Sequence, residues 1–186
     1  GVGNVGSRVV RKARALGFEC ILNDPPLFDA TGDPVYRSIN EIYDCDIISL
    51  HVPLEKGGRH PTYHLVDEAF LKRMKPGGVL INSSRGAVVD NQALKAALAS
   101  KHLRAAVLDV WEGEPEPDPE LLAMTDIATP HIAGYSFDGK VNGTRQIFEA
   151  ARDWLGSAAR WDPGPLLPPP EVPELELDPD LPSPLA

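Results

Sequence analysis

Three short segments of this 186-residue chain carry side chains that could do chemistry. Asn82-Ser83-Ser84-Arg85-Gly86 follows one apolar run, Asp109-Val110-Trp111-Glu112-Gly113-Glu114-Pro115 follows a second, and Thr129-Pro130-His131-Ile132-Ala133-Gly134-Tyr135 follows a third. A guanidinium such as Arg85 can hold a carboxylate through two parallel hydrogen bonds. An imidazole such as His131 can take a proton near neutral pH, and a carboxylate beside it favours its charged form and orients it. The second segment offers Asp109, Glu112 and Glu114 for that part. A cation that fixes a carboxylate and a base that accepts a hydroxyl proton are what oxidation of a 2-hydroxy acid needs, once a hydride acceptor is at hand.

The start of the chain supplies a place for one. Gly1-Val2-Gly3-Asn4-Val5-Gly6 has the spacing G-x-G-x-x-G. In a dinucleotide site the first glycine makes a tight turn, the second lets the pyrophosphate approach the backbone, and the third lets helix and strand pack closely. Asp24 stands 18 residues after Gly6. A carboxylate there can accept from the adenosine ribose hydroxyls and repels a 2′-phosphate, which favours NAD over NADP. Read alone, Asp24 has a fair rival reading as a turn residue before Pro25-Pro26.

These segments must be positioned by regular elements. Short apolar runs at Phe18–Asn23, Asp46–Val52, Gly78–Asn82, Ala105–Asp109 and Asp126–Ala128 read as strands, and their continuous apolar character fits parallel strands buried on both faces. Helical patterns lie between them. Val5–Leu16 stops before Gly17, and Ser38 to Glu41 reads as a capping box. Asp67 caps a helix through Met74 ended by Pro76-Gly77, Asp90 one through Ala99, and Ser136 one to about Leu155. The expected fold is α/β, a Rossmann-type doubly wound parallel sheet with Arg85, the carboxylates and His131 at one sheet edge. No strand precedes Gly1 to feed the glycine loop, so the sequence is expected to be part of a longer chain lacking its first strand.

At these residues the sequence resembles the D-isomer-specific 2-hydroxyacid dehydrogenases, over about residues 1–155. The matching signatures are Gly1–Gly6 with Asp24, Ser49-Leu50-His51-Val52-Pro53-Leu54, Asn82–Asp90, Leu108–Pro115 and Thr129–Ala133. The resemblance implies catalysis by Arg85, Glu114 and His131, with Glu114 chosen over Glu112 by its five-residue distance from Asp109. It implies cofactor contacts from Gly1, Gly3, Asn4, Val5, Gly6, Asp24, His51, Pro53, Ser83, Ser84, Asp109 (on the nicotinamide amide) and Gly134, and substrate contacts from Arg85, His131 and Tyr135. Gly58-Arg59-His60-Pro61-Thr62-Tyr63-His64-Leu65, Ser84–Asn91 ending in Asp-Asn, and His131–Ser136 with Gly139-Lys140 are most similar to the branch that acts on a phosphorylated four-carbon hydroxy acid. The implied cofactor is NAD and the implied partner a small phosphorylated 2-hydroxy acid, in a homodimer when the chain is complete. Phosphoglycerate or hydroxypyruvate chemistry, and a non-enzymatic NAD-binding regulator, are the other readings. Residues 1–135 would be the cofactor domain and 136–161 a helix returning toward a substrate domain built largely from residues before Gly1. The chain alone is expected to be inactive.

Composition sets the outer limits. An apolar fraction of 42% with 24% charged residues fits a globular protein, and no apolar run is long enough to span a bilayer. The net charge of −9 argues against a general nucleic-acid binder. Residues 162–186 hold nine prolines and six acidic residues with no Lys or Arg, and read as an extended tail or linker. Without them the body has 18 basic and 21 acidic residues, a net of −3. Cys20 and Cys45 read as buried free thiols of a reducing, cytoplasmic compartment. His60 and His64 are four apart, but Pro61 lies between them and no metal site is expected; hydrogen bonds within a loop are. Lys140, near Tyr135, reads as an ordinary exposed lysine or a phosphate contact.

Overall fold

The computed structural model describes residues 1–169. The segment from 170 to 186, most of the acidic tail, lies outside the described residues. Two compact units are present, Gly1–Ala133 and a second beginning at Gly134.

The first unit is built on a four-stranded parallel sheet, β1 (Ile47–Leu50), β2 (Val79–Asn82), β3 (Ala105–Leu108) and β4 (Ile127–Ala128), in the order β1-β2-β3-β4. The strands pair in step. Leu50 lies beside Asn82, Asn82 beside Leu108, and Leu108 beside Ala128. The residues that follow each strand therefore leave the sheet along one edge. Helices α1 (Asn4–Ala15) and α2 (Pro25–Thr31) precede β1, and α3 (Glu68–Arg73), α4 (Asn91–Ala99) and α5 (Pro119–Met124) are the crossovers. Asp67, Asp90 and Asp118 cap these last three through N–H···carboxylate bonds, at 2.8 Å for Phe70, 3.0 Å for Ala93 and 2.8 Å for Glu120. Three crossovers of one hand in a sheet of sequential order put their helices on one face. The core lies there: Ile48, Leu50, Leu80, Ala106 and Leu108 pack with Phe70, Leu71, Leu94, Leu103 and Leu121.

Three expectations are corrected. The strands are not all buried on both faces: in β1, Ile48 and Leu50 are buried while the alternate residues Ile47 and Ser49 are partly exposed, although β2 buries Val79 as well as Leu80. Phe18–Asn23 does not form a strand. Its ladder bonds reduce to one bridge of Leu22 with Tyr36, one bond from the Arg37 N–H to the Leu22 carbonyl and one from the Gly1 nitrogen to the Asn23 carbonyl at 2.9 Å, and no described strand lies alongside. The Ser38–Glu41 box is real, the Glu41 carboxylate accepting from the Ser38 N–H at 3.2 Å, but it opens a single 3₁₀ turn, Ile39–Glu41. The other strands appear within one or two residues of the expected bounds. Helices α2 and α5, each with proline in its first turn, escape a reading by apolar periodicity because they are only seven and six residues long. Cys20 and Cys45 are free but half-buried, and burial, then the neighbouring Asp46 and Asp44, push the Cys45 thiol up.

The second unit holds α6 (Phe137–Trp154), capped by Ser136 through the Gly139 N–H at 3.0 Å and ending at Leu155 before Gly156. Phe148 and Trp161 meet edge to face. Among the described residues no helix is long and apolar enough to cross a membrane.

Candidate active site

Each strand end delivers one part of the site. The glycine loop packs where its spacing demands: a side chain on Gly1 would run into the His51 carbonyl, and one on Gly6 into the carbonyl of Gly1. Gly3, in contrast, faces open space. Helix α1 starts there with no side-chain cap and no acidic residue in its first turn, so its first N–H groups and the positive end of its dipole have no competing anion. This is the cradle a pyrophosphate requires. The loop is tied to Asp24, whose Oδ2 accepts from the Val2 N–H at 2.7 Å while Oδ1 caps α2 through the Leu27 N–H at 3.0 Å. Asp24 thus serves a turn and lies at the glycine loop at once, with acceptor capacity to spare on both oxygens.

After β1, His51 is half-buried and its Nε2 lies 2.9 Å from the Ser49 hydroxyl. Burial lowers its tendency to charge. Pro53 leads into a connection closed by Thr62, whose hydroxyl donates to the Pro53 carbonyl and accepts from the Glu55 N–H at 2.8 Å.

After β2, the buried Asn82 shapes the turn. Its Oδ1 accepts from the Ser84 N–H at 3.0 Å and the Ser84 hydroxyl at 2.7 Å, and its Nδ2 donates to the Arg85 carbonyl at 3.0 Å. Ser84 is buried by this turn, Ser83 half-buried, and Arg85 exposed. The Arg85 guanidinium donates to the Ser84 carbonyl at 2.6 Å and pairs with no carboxylate among the described residues. Gly86 follows because nothing larger fits: a side chain there would strike the Trp111 carbonyl. We predict that Gly86→Ala destabilises the domain by about 1–3 kcal/mol, as overpacking of a backbone contact does. A denaturation midpoint equal to that of the parent would show the contact to be slack.

After β3 and β4, one carboxylate organises the histidine loop. Asp109, buried, accepts from the Thr129 hydroxyl at 2.6 Å and from the Ile132 and Ala133 N–H groups at 2.8 and 2.9 Å. Burial works against its charge, but these three bonds and the nearby His131 prevail and hold its carboxyl below the ordinary value. Trp111 adds a bond from its indole N–H to the Thr129 carbonyl at 3.0 Å. Held this way, His131 takes a left-handed backbone, φ 54°, which non-glycine residues adopt only where their surroundings impose it. Its N–H donates to the Asp109 carbonyl at 2.7 Å.

The imidazole meets Glu114, Nδ1 to Oε2 at 2.7 Å. The other oxygen of Glu114 accepts from the Trp111 N–H at 2.7 Å, which fixes the carboxylate. Glu112 is engaged elsewhere, 2.6 Å from His64 Nε2. Of the three carboxylates open in the sequence, Glu114 is thus the one that orients His131. With Nδ1 directed at a carboxylate, Nε2 is the nitrogen available as base.

The profile of the D-isomer specific 2-hydroxyacid dehydrogenase NAD binding domain matches residues 1–133. The chain belongs to the D-isomer-specific 2-hydroxyacid dehydrogenases. Residues 1–133 are the NAD-binding domain of this family. Erythronate-4-phosphate dehydrogenase of Salinibacter ruber is 51% identical over 166 residues, covering 87% of this chain and 42% of the relative. The protein of the same name from Pseudomonas putida is 46% identical over 178 residues, covering 96% and 47%. The chain therefore spans less than half the length of these dehydrogenases. Among solved structures, D-lactate dehydrogenase from Aquifex aeolicus, complexed with NAD and lactic acid, is 29% identical with a TM-score of 0.64, covering 84% of this chain and 52% of that one. An acyclic imino acid reductase in complex with NADPH and D-Arg is also 29% identical, with a TM-score of 0.69 and coverage of 84% and 49%.

Of the expected site residues, Gly1, Gly3, Asn4, Val5, Gly6 and Asp24 meet at the glycine loop. His51, Pro53, Ser83, Ser84, Arg85, Asp109, Glu114 and His131 follow the aligned strand ends. Gly134 and Tyr135 fall in the second unit, where Tyr135 is exposed and Lys140 Nζ lies 3.7 Å from its ring centre. His60 and His64 bond different carboxylates, Asp29 at 2.6 Å and Glu112. Asn82, Trp111 and Thr129 carry more of the positioning than a reading by type suggested. The signal for Asn82 was an amide ending an otherwise apolar strand.

Proposed function

We propose that this chain is the cofactor-binding part of an enzyme that oxidises 4-phospho-D-erythronate to 2-oxo-3-hydroxy-4-phosphobutanoate with NAD, a step toward pyridoxal 5′-phosphate. The observation that carries the reaction class is the His131–Glu114 pair at the sheet edge that also presents Arg85. The substrate is supported by relatives named erythronate-4-phosphate dehydrogenase at 46–51% identity.

NAD, when bound, supplies the acceptor for the hydride. The α1 N-terminus at Gly3 to Gly6 holds the pyrophosphate, and Asp24 the ribose hydroxyls, which disfavours a 2′-phosphate. His51, Pro53, Ser83, Ser84 and Asp109 line the remainder. Asp109 keeps about one acceptor position out of roughly four after its three loop bonds, enough for one amide N–H of the nicotinamide. Arg85 grips the substrate carboxylate in a bidentate pair. His131 Nε2 takes the C2 hydroxyl proton as the C–H bond breaks, and Glu114 stabilises the imidazolium formed. The whole protein pairs this domain, residues 1–135, with a substrate domain reached through residues 136–161 and a tail or linker at 162–186, as a cytoplasmic homodimer; the free thiols Cys20 and Cys45 support a reducing compartment. The test is NADH formation by the whole protein from NAD and 4-phospho-D-erythronate, against a control without the acid. Equal traces would remove the proposal.

A further inference from the structure

We propose that His64 and Glu112 form a positioning pair for this reaction, holding the Arg85 turn and the Glu114 segment at the spacing the substrate needs; the inference rests on the 2-hydroxy acid oxidation proposed above. Glu112 leaves the same turn as Glu114, yet each carboxylate has its own histidine. Glu112 Oε1 lies 2.6 Å from His64 Nε2, and its Oε2 accepts from the Asn91 N–H at 2.9 Å. Asn91 opens α4, a nine-residue helix, so the carboxylate also sits at the positive end of a helix dipole.

His64 is itself fixed on several sides. Its N–H donates to the Ala87 carbonyl at 2.9 Å, within the turn immediately after Arg85. Tyr63 stacks on its ring, with centres 4.1 Å apart and planes 14° from parallel, and Asp90 Oδ2 lies 4.0 Å from its Nδ1. Three non-glycine residues have a left-handed backbone among the described residues, and two of them are His64 (φ 49°) and His131 (φ 54°), the partners of Glu112 and Glu114. An unusual backbone at both histidines points to a requirement for where their rings sit.

The pair joins three pieces of chain that are distant in sequence: the connection around residue 64, the Arg85 turn with the start of α4, and the segment from Trp111 to Glu114. Gly86 against the Trp111 carbonyl is the backbone contact of the same junction. The side chains of His64 and Glu112 are 29% and 28% exposed. A part-exposed histidine–carboxylate contact contributes little to stability, so the use of this one is geometric. The substrate must bridge Arg85, which takes its carboxylate, and His131, which takes the proton from the adjacent carbon. A shift of either group by about 1 Å costs on the order of a hundredfold in rate. The glycine loop and Asp24 lie on other elements and do not depend on the pair.

The experiment compares His64→Ala and His64→Gln in the whole protein, on whichever D-2-hydroxy acid the parent oxidises. For His64→Ala we expect kcat/KM to fall at least about tenfold with a raised KM for the acid, while the Kd for NAD stays within about twofold. Hydrogen exchange at the Trp111 amide, which donates to Glu114, should quicken in His64→Ala. His64→Gln, whose amide can still donate to Glu112, should restore both readouts to within about threefold of the parent. Parental kcat/KM in His64→Ala, or a proportional loss of NAD affinity and turnover in both variants, overturns the proposal. If the parent oxidises no such acid, the functional reading fails separately, and the Trp111 exchange still decides the pair: faster in His64→Ala and restored in His64→Gln supports it, unchanged exchange overturns it.

Discussion

Replacing His131 with alanine is expected to lower kcat by about 10²–10⁴ while leaving the Kd for NAD nearly unchanged, the range seen when a general base is removed. The separation follows from where the parts sit. The α1 N-terminus and Asp24, which we propose hold the adenosine half of the cofactor, share no hydrogen bond with His131. His131 makes its contacts with Glu114 and the Asp109 loop. Glu114→Gln should lose less, because a glutamine carbonyl can still accept from Nδ1–H and orient the ring but stabilises the imidazolium poorly. Steady-state kinetics with parallel NAD titration read both quantities. An alanine variant that turns over like the parent would take His131 out of the chemistry, and one that fails to bind NAD would show it to support the cofactor site instead.

Asp109→Asn is expected to cost about 2 kcal/mol of stability and, through the displaced histidine loop, on the order of a hundredfold in kcat/KM. The carboxylate accepts three bonds with two oxygens. An asparagine offers one oxygen and must turn an N–H toward at least one backbone donor, Ile132 or Ala133, leaving that donor unmatched. The stability change should appear without NAD, which separates loop anchoring from any contact of Asp109 with the nicotinamide. The pH dependence has a definite sign. A carboxyl held below its ordinary value in the folded state contributes stability that is fully present above about pH 4, the unfolded value, and is lost as pH falls through the folded value. The parent should therefore lose this increment in strong acid and the asparagine variant should not. Matching acid limbs in urea titrations of the two proteins would count against the assignment.

How far the sequence foretold this arrangement depends on the element. The aligned strand ends were legible, because apolar runs punctuated by Asn82, Asp109 and Thr129 mark where a buried strand meets solvent, and all fall in step in the sheet. The glycine loop was legible because Gly1 and Gly6 stand where any side chain collides. The run at Phe18–Asn23 misled, since apolar character does not supply a neighbouring strand to complete a ladder. The short helices α2 and α5 were invisible to periodicity yet announced by Asp-Pro at their starts, Asp24-Pro25 and Asp118-Pro119. The choice between Glu112 and Glu114 could not be made from residue type. Both are glutamates on one turn; the five-residue spacing from Asp109 that the resemblance implies singled out Glu114, and the structure places Glu114 on His131 and Glu112 on His64.

The central claim, a phosphorylated four-carbon hydroxy acid oxidised with NAD, is tested most directly by the ratio of kcat/KM for 4-phospho-D-erythronate to that for 3-phosphoglycerate in the whole protein. The account predicts NADH from 4-phospho-D-erythronate with a ratio well above one. NADH from 3-phosphoglycerate with none from 4-phospho-D-erythronate would contradict it.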